Sequence, residues 1–224
     1  MGCAAQSIVG DAGPSDLFAF KAHFAHGRLP AGLMPLLAFP GGYGGLVETD
    51  SGRTSLSCCI RRDALARARQ RHGGKAGEAV LAHIMETTKG VRLALEHATL
   101  QEHFLSTGPI HPGIRPRHHD GVFFAGNIAG EAHPVIAEGI SMAIQSSWLL
   151  AQCLLRDGPA AGLKYANAWK QQFGPRLHAA SVFAWLAMND HSRAVAAQLI
   201  RAFPMILAWG AQLSGKADVR RDAA

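Results

Sequence analysis

Residues 121–143 constrain this chain more than any other stretch. They read Gly-Val-Phe-Phe-Ala-Gly-Asn-Ile-Ala-Gly-Glu-Ala-His-Pro-Val-Ile-Ala-Glu-Gly-Ile-Ser-Met-Ala. The apolar run 122–125 predicts a buried strand, and Gly126-Asn127 and Ala129-Gly130 predict a tight turn of small residues. Pro134 and Glu138-Gly139 then open an apolar helix. A strand that ends in glycines and feeds a helix presents free backbone N–H groups at the positive end of the helix dipole. Such a junction suits a phosphate or another electron-rich group, although an α/β domain makes the same turn with no ligand at all.

The rest of the chain is read around that junction. Leu17 to Phe24 alternates Leu17, Ala19, Lys21 and His23 against Phe18, Phe20, Ala22 and Phe24, as a half-buried strand does. Further strands are expected over 33–39, 44–49 and 54–60, the last two joined by a hairpin turn at Asp50-Ser51-Gly52. Helices are expected over 63–72 and 78–87, separated by Gly73-Gly74, with Asp63 as N-cap or first-turn acid. Residues 99–110 should return to the sheet, and 115–120 form a polar loop. A long helix follows over 138–155. It has no charge from Gly139 to Leu155, which predicts burial on most sides, and Asp157-Gly158-Pro159 ends it. Residues 160–214 should be helical, with breaks at Gly174-Pro175 and Pro204. Residues 1–15 read as a flexible leader and those after Lys216 as a disordered tail.

The junction resembles the second FAD-contacting motif of flavoprotein monooxygenases and geranylgeranyl-reductase-like oxidoreductases. Gly126, Ala129, Gly130, Pro134, Glu138, Gly139 and Ala143 fall in register with that motif. The resemblance implies that Gly126, Asn127, Ala129, Gly130, Pro134, Glu138, Gly139 and Ile140 contact FAD. Position 127 would face the ribityl and pyrophosphate region, and 134–140 would lie against the isoalloxazine. Asn127 stands where the family usually has Asp, so it accepts a hydrogen bond but brings no charge. Ala137 replaces a common glycine. Residues 34–47, Met-Pro-Leu-Leu-Ala-Phe-Pro-Gly-Gly-Tyr-Gly-Gly-Leu-Val, look like the family's Phe-Pro and glycine-rich segment of the substrate domain. Flavin halogenases carry a tryptophan-rich version of it. The first tryptophan here is Trp148, which disfavours that branch.

The resemblance covers roughly 16–156, and one family hallmark is absent. No Gly-x-Gly-x-x-Gly occurs in the 224 residues, so the fingerprint that cradles the FAD pyrophosphate is missing. The expected architecture is mixed α/β (α+β): an incomplete monooxygenase-type FAD fold lacking the N-terminal Rossmann βαβ unit. An antiparallel substrate-domain sheet with helices would occupy 16–114, a returning FAD-domain strand and helix 115–156, and helices and tail 157–224.

Composition narrows the function classes. With 48% hydrophobic and 17% charged residues the chain is globular rather than disordered. Its net charge of +6 is spread over both halves without a basic block interleaved with aromatics, which argues against nucleic acid. Cys3, Cys58, Cys59 and Cys153 form neither a Cys-x-x-Cys pair nor a disulfide framework, as expected of a reducing cytoplasm. Among the 12 histidines, His111, His118, His119 and His133 lie close in sequence but match no metal-ligand spacing, so no metal site is expected. No Gly-x-Ser-x-Gly is present, which argues against an α/β-hydrolase.

The function expected is therefore FAD-dependent oxidation or double-bond reduction of a small hydrophobic substrate, with NAD(P)H as the candidate electron donor. Phe39, Tyr43 and His133 are the substrate-side candidates, and no catalytic residue is assigned. The alternatives are a truncated, non-catalytic fragment that does not hold FAD alone, and a module that binds a partner or a membrane surface through the apolar, basic C-terminal helices. Association with itself or with a chain supplying the missing FAD half is a corollary.

Overall fold

The computed structural model describes Gly13, residues 16–134 and residues 138–206. The expected leader, the tail after Lys216 and Ala137 lie outside these. The described residues fall into two units. One comprises residues up to Leu37 together with Gly44–Ile110; the other comprises Ala38–Tyr43 and the residues from His111 onward.

The first unit is built on a six-stranded sheet. Its strands are β1 (Leu17–Ala25), β2 (Leu36–Phe39), β3 (Gly42–Glu48), β4 (Thr54–Arg61), β5 (Thr99–Leu100) and β6 (Leu105–Ile110). Their order is β2-β3-β4-β1-β5, with β6 also on β1. Central β1 runs antiparallel to β4 over its whole length, from Leu17 opposite Arg61 to Phe24 opposite Thr54. On its other edge β5 and β6 pair with its two ends, also antiparallel. The alternation read from sequence holds from Phe20 onward: Phe20, Ala22 and Phe24 are buried and Lys21 is exposed, whereas Leu17, expected on the Lys21 face, is buried and Phe18 is only half-buried. The β3–β4 turn closes through Thr49 N to Arg53 O, with Gly52 at φ 72° supplying the left-handed residue. Cys58 and Cys59 are buried in β4.

Three helices follow β4 rather than two: α1 (Arg62–His72), α2 (Ala76–Thr87) and α3 (Lys89–Leu95). Asp63 sits in the first turn of α1, two residues past the Arg61 N-cap. Burial raises its pKa, but hydrogen bonds from Arg61 and Arg67 outweigh this and hold it at about 2. The third helix was not expected because its seven residues span too few turns to show a period. Burial of Val91, Ala94 and Leu95 holds it.

The second unit is helical with short strand pairs. Its strands are β7 (Gly113–Ile114), β8 (His118–His119), β9 (Val122–Phe123) and β10 (Gly130–Glu131). They pair as β10–β7 and β8–β9, both antiparallel. The strand expected over 122–125 is thus only two residues long, and Val122 is exposed. Among the described residues its ladder has one partner, β8, so nothing extends it. The helices are α4 (Gly139–Asp157), α5 (Gly162–Met188) and α6 (Asp190–Ala202).

Two helix expectations are corrected. Helix α4 buries only Met142 and Ser146 rather than most of its surface. One face meets the unit's core, whereas Ile140, Ile144, Trp148 and Leu155 face outward. Helix α5 runs through Gly174-Pro175 instead of breaking there. An interior proline costs a helix about 3 kcal/mol. Against that stands one continuous buried face: Tyr165, Trp169, Phe173, Leu177, Ala180 and Ala184. Each large side chain in it contributes roughly 1.5–3 kcal/mol, so packing wins.

The core of this unit comprises Ala129, Ala132, Met142, Tyr165, Trp169, Phe173 and Leu177. Trp169 lies so close to Gly130 that a Cβ there would sit 2.3 Å from the indole. Gly130→Ala should therefore destabilise the chain by about 1–3 kcal/mol. A urea midpoint lowered without a change in slope is the expected readout.

Candidate functional site

The glycine junction folds as a 3-10 turn, Gly126–Ile128, between β9 and β10. Gly126 takes φ 63°, and a Cβ on it would meet Ala143 of α4 at 3.3 Å. Its amide donates to Ser146 Oγ at 2.8 Å, and that hydroxyl donates to Ala143 O. The turn is thereby fixed against the second turn of α4. Asn127 is exposed, with its Oδ1 facing the first turn of that helix, 3.8 Å from where a Gly139 Cβ would stand.

The other end of the turn is held by Arg115. Its guanidinium donates to Asn127 O at 2.5 Å, to His111 O at 3.0 Å and to Glu131 Oε2 at 2.7 Å. Neither Ser146 nor Arg115 was singled out by sequence reading. The first looked like one of several polar residues diluting an apolar helix, and the second like part of a solvated loop.

The eight residues proposed from the motif divide into two sets. Ala129 and Gly130 are buried in the core, with the space beside Gly130 filled by Trp169. Any part they take in ligand binding comes from shaping the turn. Gly126, Asn127, Pro134, Glu138, Gly139 and Ile140 retain exposed surface, and Ile140 is 81% exposed. Glu138 is the N-cap of α4 but makes no side-chain cap. The N–H groups of the first helical turn, at the positive dipole end, thus receive no side-chain cap from Glu138.

The carboxylate of Glu138 instead faces Arg176 of α5 at 3.6 Å, with side-chain exposures of 12% and 5%. Arg176 also donates to Gln145 Oε1 at 3.4 Å. Among the described residues, Glu138 Oε2 and Arg176 Nη2 make no hydrogen bond. This buried pair ties the start of α4 to α5.

The three substrate-side candidates are all buried. Phe39 is fully enclosed, and Tyr43 and His133 meet: Tyr43 OH lies 2.6 Å from His133 Nδ1. Burial lowers the His133 pKa to about 4, so the ring is neutral at pH 7. Among the described residues no group of three metal ligands includes His111, His118, His119 or His133. His118 stacks against Phe123 with ring centroids 4.7 Å apart and is half-buried, not solvated.

Two outcomes follow. His133 prefers to be neutral when folded, so its contribution to stability is complete above about pH 6.5 and is lost as pH falls towards 4. Thermal melts over that range should show a fall in stability that His133→Gln reduces, and Tyr43→Phe should cost about 1–3 kcal/mol at neutral pH. Arg176→Met strands a buried carboxylate and should cost about 3–5 kcal/mol, part of which Arg176→Met/Glu138→Gln restores in denaturant titrations.

No family model and no curated protein matches the chain. Solved structures do. The flavin-dependent brominase Bmp2 matches with a TM-score of 0.63 at 16% identity, over 88% of this chain and 47% of its own. The myxobacterial chondrochloren halogenase CndH, an FAD-dependent halogenase, matches with 0.62 at 20% identity, over 89% and 50%. PqsL from Pseudomonas aeruginosa, described as a probable FAD-dependent monooxygenase, matches with 0.62 at 18%, over 84% and 53%. The chain spans about half the length of these proteins. It has the fold of part of a flavin-dependent halogenase or FAD-dependent monooxygenase, with an antiparallel sheet followed by C-terminal helices.

Proposed function

We propose that this chain forms the substrate-side part of an FAD-dependent oxidoreductase, of the monooxygenase or double-bond-reductase type, acting on a small hydrophobic molecule. The observation that carries the reading is the Gly126 turn fastened to an uncapped α4 N-terminus, within a fold that flavin-dependent proteins share. The residues fit one portion of FAD. Asn127, Gly139 and Ile140 offer amide and backbone groups to the electron-rich edge of a flavin ring, while Gly126, its own amide taken by Ser146, shapes the turn. They do not fit the pyrophosphate, for which the sequence has no glycine fingerprint. A dinucleotide-binding unit would complete the cofactor site.

When bound, FAD supplies the redox chemistry and NAD(P)H would supply its electrons. The chain's own residues hold the turn rigid and keep the His133 ring neutral beside Tyr43. Among the solved structures the fold is shared by halogenases and a monooxygenase alike, so it does not choose between those reactions. The tryptophan-free segment 34–47 favours the latter, and its Phe39-Pro40 pair leans towards reduction of hydrophobic substrates. No helix among the described residues is long and apolar enough to cross a membrane. Trp185, Val195, Leu199 and Phe203 are nevertheless exposed, which supports contact with a partner or a membrane surface in addition.

The test is the visible absorbance spectrum of the purified chain with added FAD, alone and with a dinucleotide-binding unit supplied. Shifted flavin bands only in the second case are expected, weakened by Asn127→Ala. No shift in either case would refute the flavin reading.

A further inference from the structure

The turn Gly73-Gly74, with φ 69° and 71°, lets α2 fold back against α1. It brings His72, the last residue of α1, to His83 and Glu86 of α2. One ligand atom from each lies within 4.8 Å of the others. His72 Nε2 is 3.4 Å from Glu86 Oε2, and the two imidazole centroids are 6.5 Å apart. From this geometry we infer a divalent-cation site, of the zinc class, formed by His72, His83 and Glu86.

Three observations support it. The first is distance. Two ligands at about 2.0–2.2 Å from a tetrahedral metal lie about 3.3–3.6 Å from each other, a range that contains the 3.4 Å between His72 Nε2 and Glu86 Oε2. The second is an unmet valence. His72 Nε2 is buried and has no hydrogen-bond partner among the described residues. An Nε2 without a proton that faces a carboxylate oxygen is repelled by it, and a cation placed between them would remove the repulsion. The third is orientation. Arg71 donates to the other carboxylate oxygen of Glu86, which fixes the group as outer partners fix metal-bound carboxylates. His83 and Glu86 are three residues apart, so both project from one face of α2.

Two imidazoles and a carboxylate match zinc's preference for nitrogen and oxygen ligands, and a water would take the fourth position. The metal would fasten the end of α1 to α2 and leave the sheet untouched. The competing occupant is a proton on His72, which would make the cluster an ordinary ion pair with Glu86. This inference is independent of the flavin reading, since all three residues belong to the first unit.

The experiment uses tag-free chain. Zn²⁺ is titrated against a chromophoric chelator, and melting is followed with and without the metal. One equivalent should bind and raise Tm. His72→Ala, His83→Ala and Glu86→Gln should each weaken binding by more than about tenfold. Should a variant fail to fold, histidine ring resonances of the wild-type chain decide instead. Zn²⁺ must shift those of His72 and His83 together. Affinity unchanged in both histidine variants, shifts confined to other histidines, or a thiolate charge-transfer band with Co²⁺ would overturn the proposal.

Discussion

The second unit depends on the approach of the Trp169 indole to the backbone at Gly130. Nothing larger than hydrogen fits between them. The ring is fully buried, and its Nε1 has no hydrogen-bond partner among the described residues. It is therefore held by packing, tilted against Phe173 and beneath the Arg117 guanidinium. That packing places α5 under the β7–β10 ribbon, and the same face of α5 supplies Tyr165, whose hydroxyl donates to Phe124 O at 2.8 Å. One helix face thus fixes both ends of the segment that contains the glycine turn.

What this rigid base positions is the start of α4. Ser146 takes the Gly126 amide, Arg115 takes the Asn127 carbonyl, and Arg176 draws the Glu138 side chain inward. Glu138 could otherwise have folded over its own helix terminus and satisfied its N–H groups, as acidic residues at that position do. Turned toward Arg176, it gives them no cap.

The sheet was legible because its signals are local. The alternation in β1, the turn at Asp50-Ser51-Gly52 and the glycines after α1 each act within a few residues. The passage of α5 through Pro175 was not legible, because the cost is local and the compensation is spread over some twenty residues of buried face. The junction was legible as a motif but not as a structure. Glycine spacing announces a turn, whereas the partners that hold it, Ser146 and Arg115, come from a helix and a loop that carry no mark of that role. Tyr43 and His133 could be nominated singly; a contact across 90 residues has no sequence signature. The same holds for His72 and His83, which sit on different helices and share no motif spacing.

Helix α4 carries the strongest argument about what surrounds it. From Gly139 to Leu155 it has no charged residue, although a helix with one solvent face normally places charges there. Ile140, Ile144, Trp148 and Leu155 recur at close to helical spacing on the exposed side, with exposures of 81%, 67%, 56% and 82%. Scattered surface apolar residues need no explanation, but a stripe along one helix does. The opposite face is already occupied by Met142 and Ser146 in the core. A helix apolar on two sides packs on two sides, and the structures that share this fold are about twice the length this chain spans. The stripe begins at Ile140, in the first turn of α4. An element covering it would therefore stand beside the Gly126–Asn127 turn, which packs on the same end of the helix.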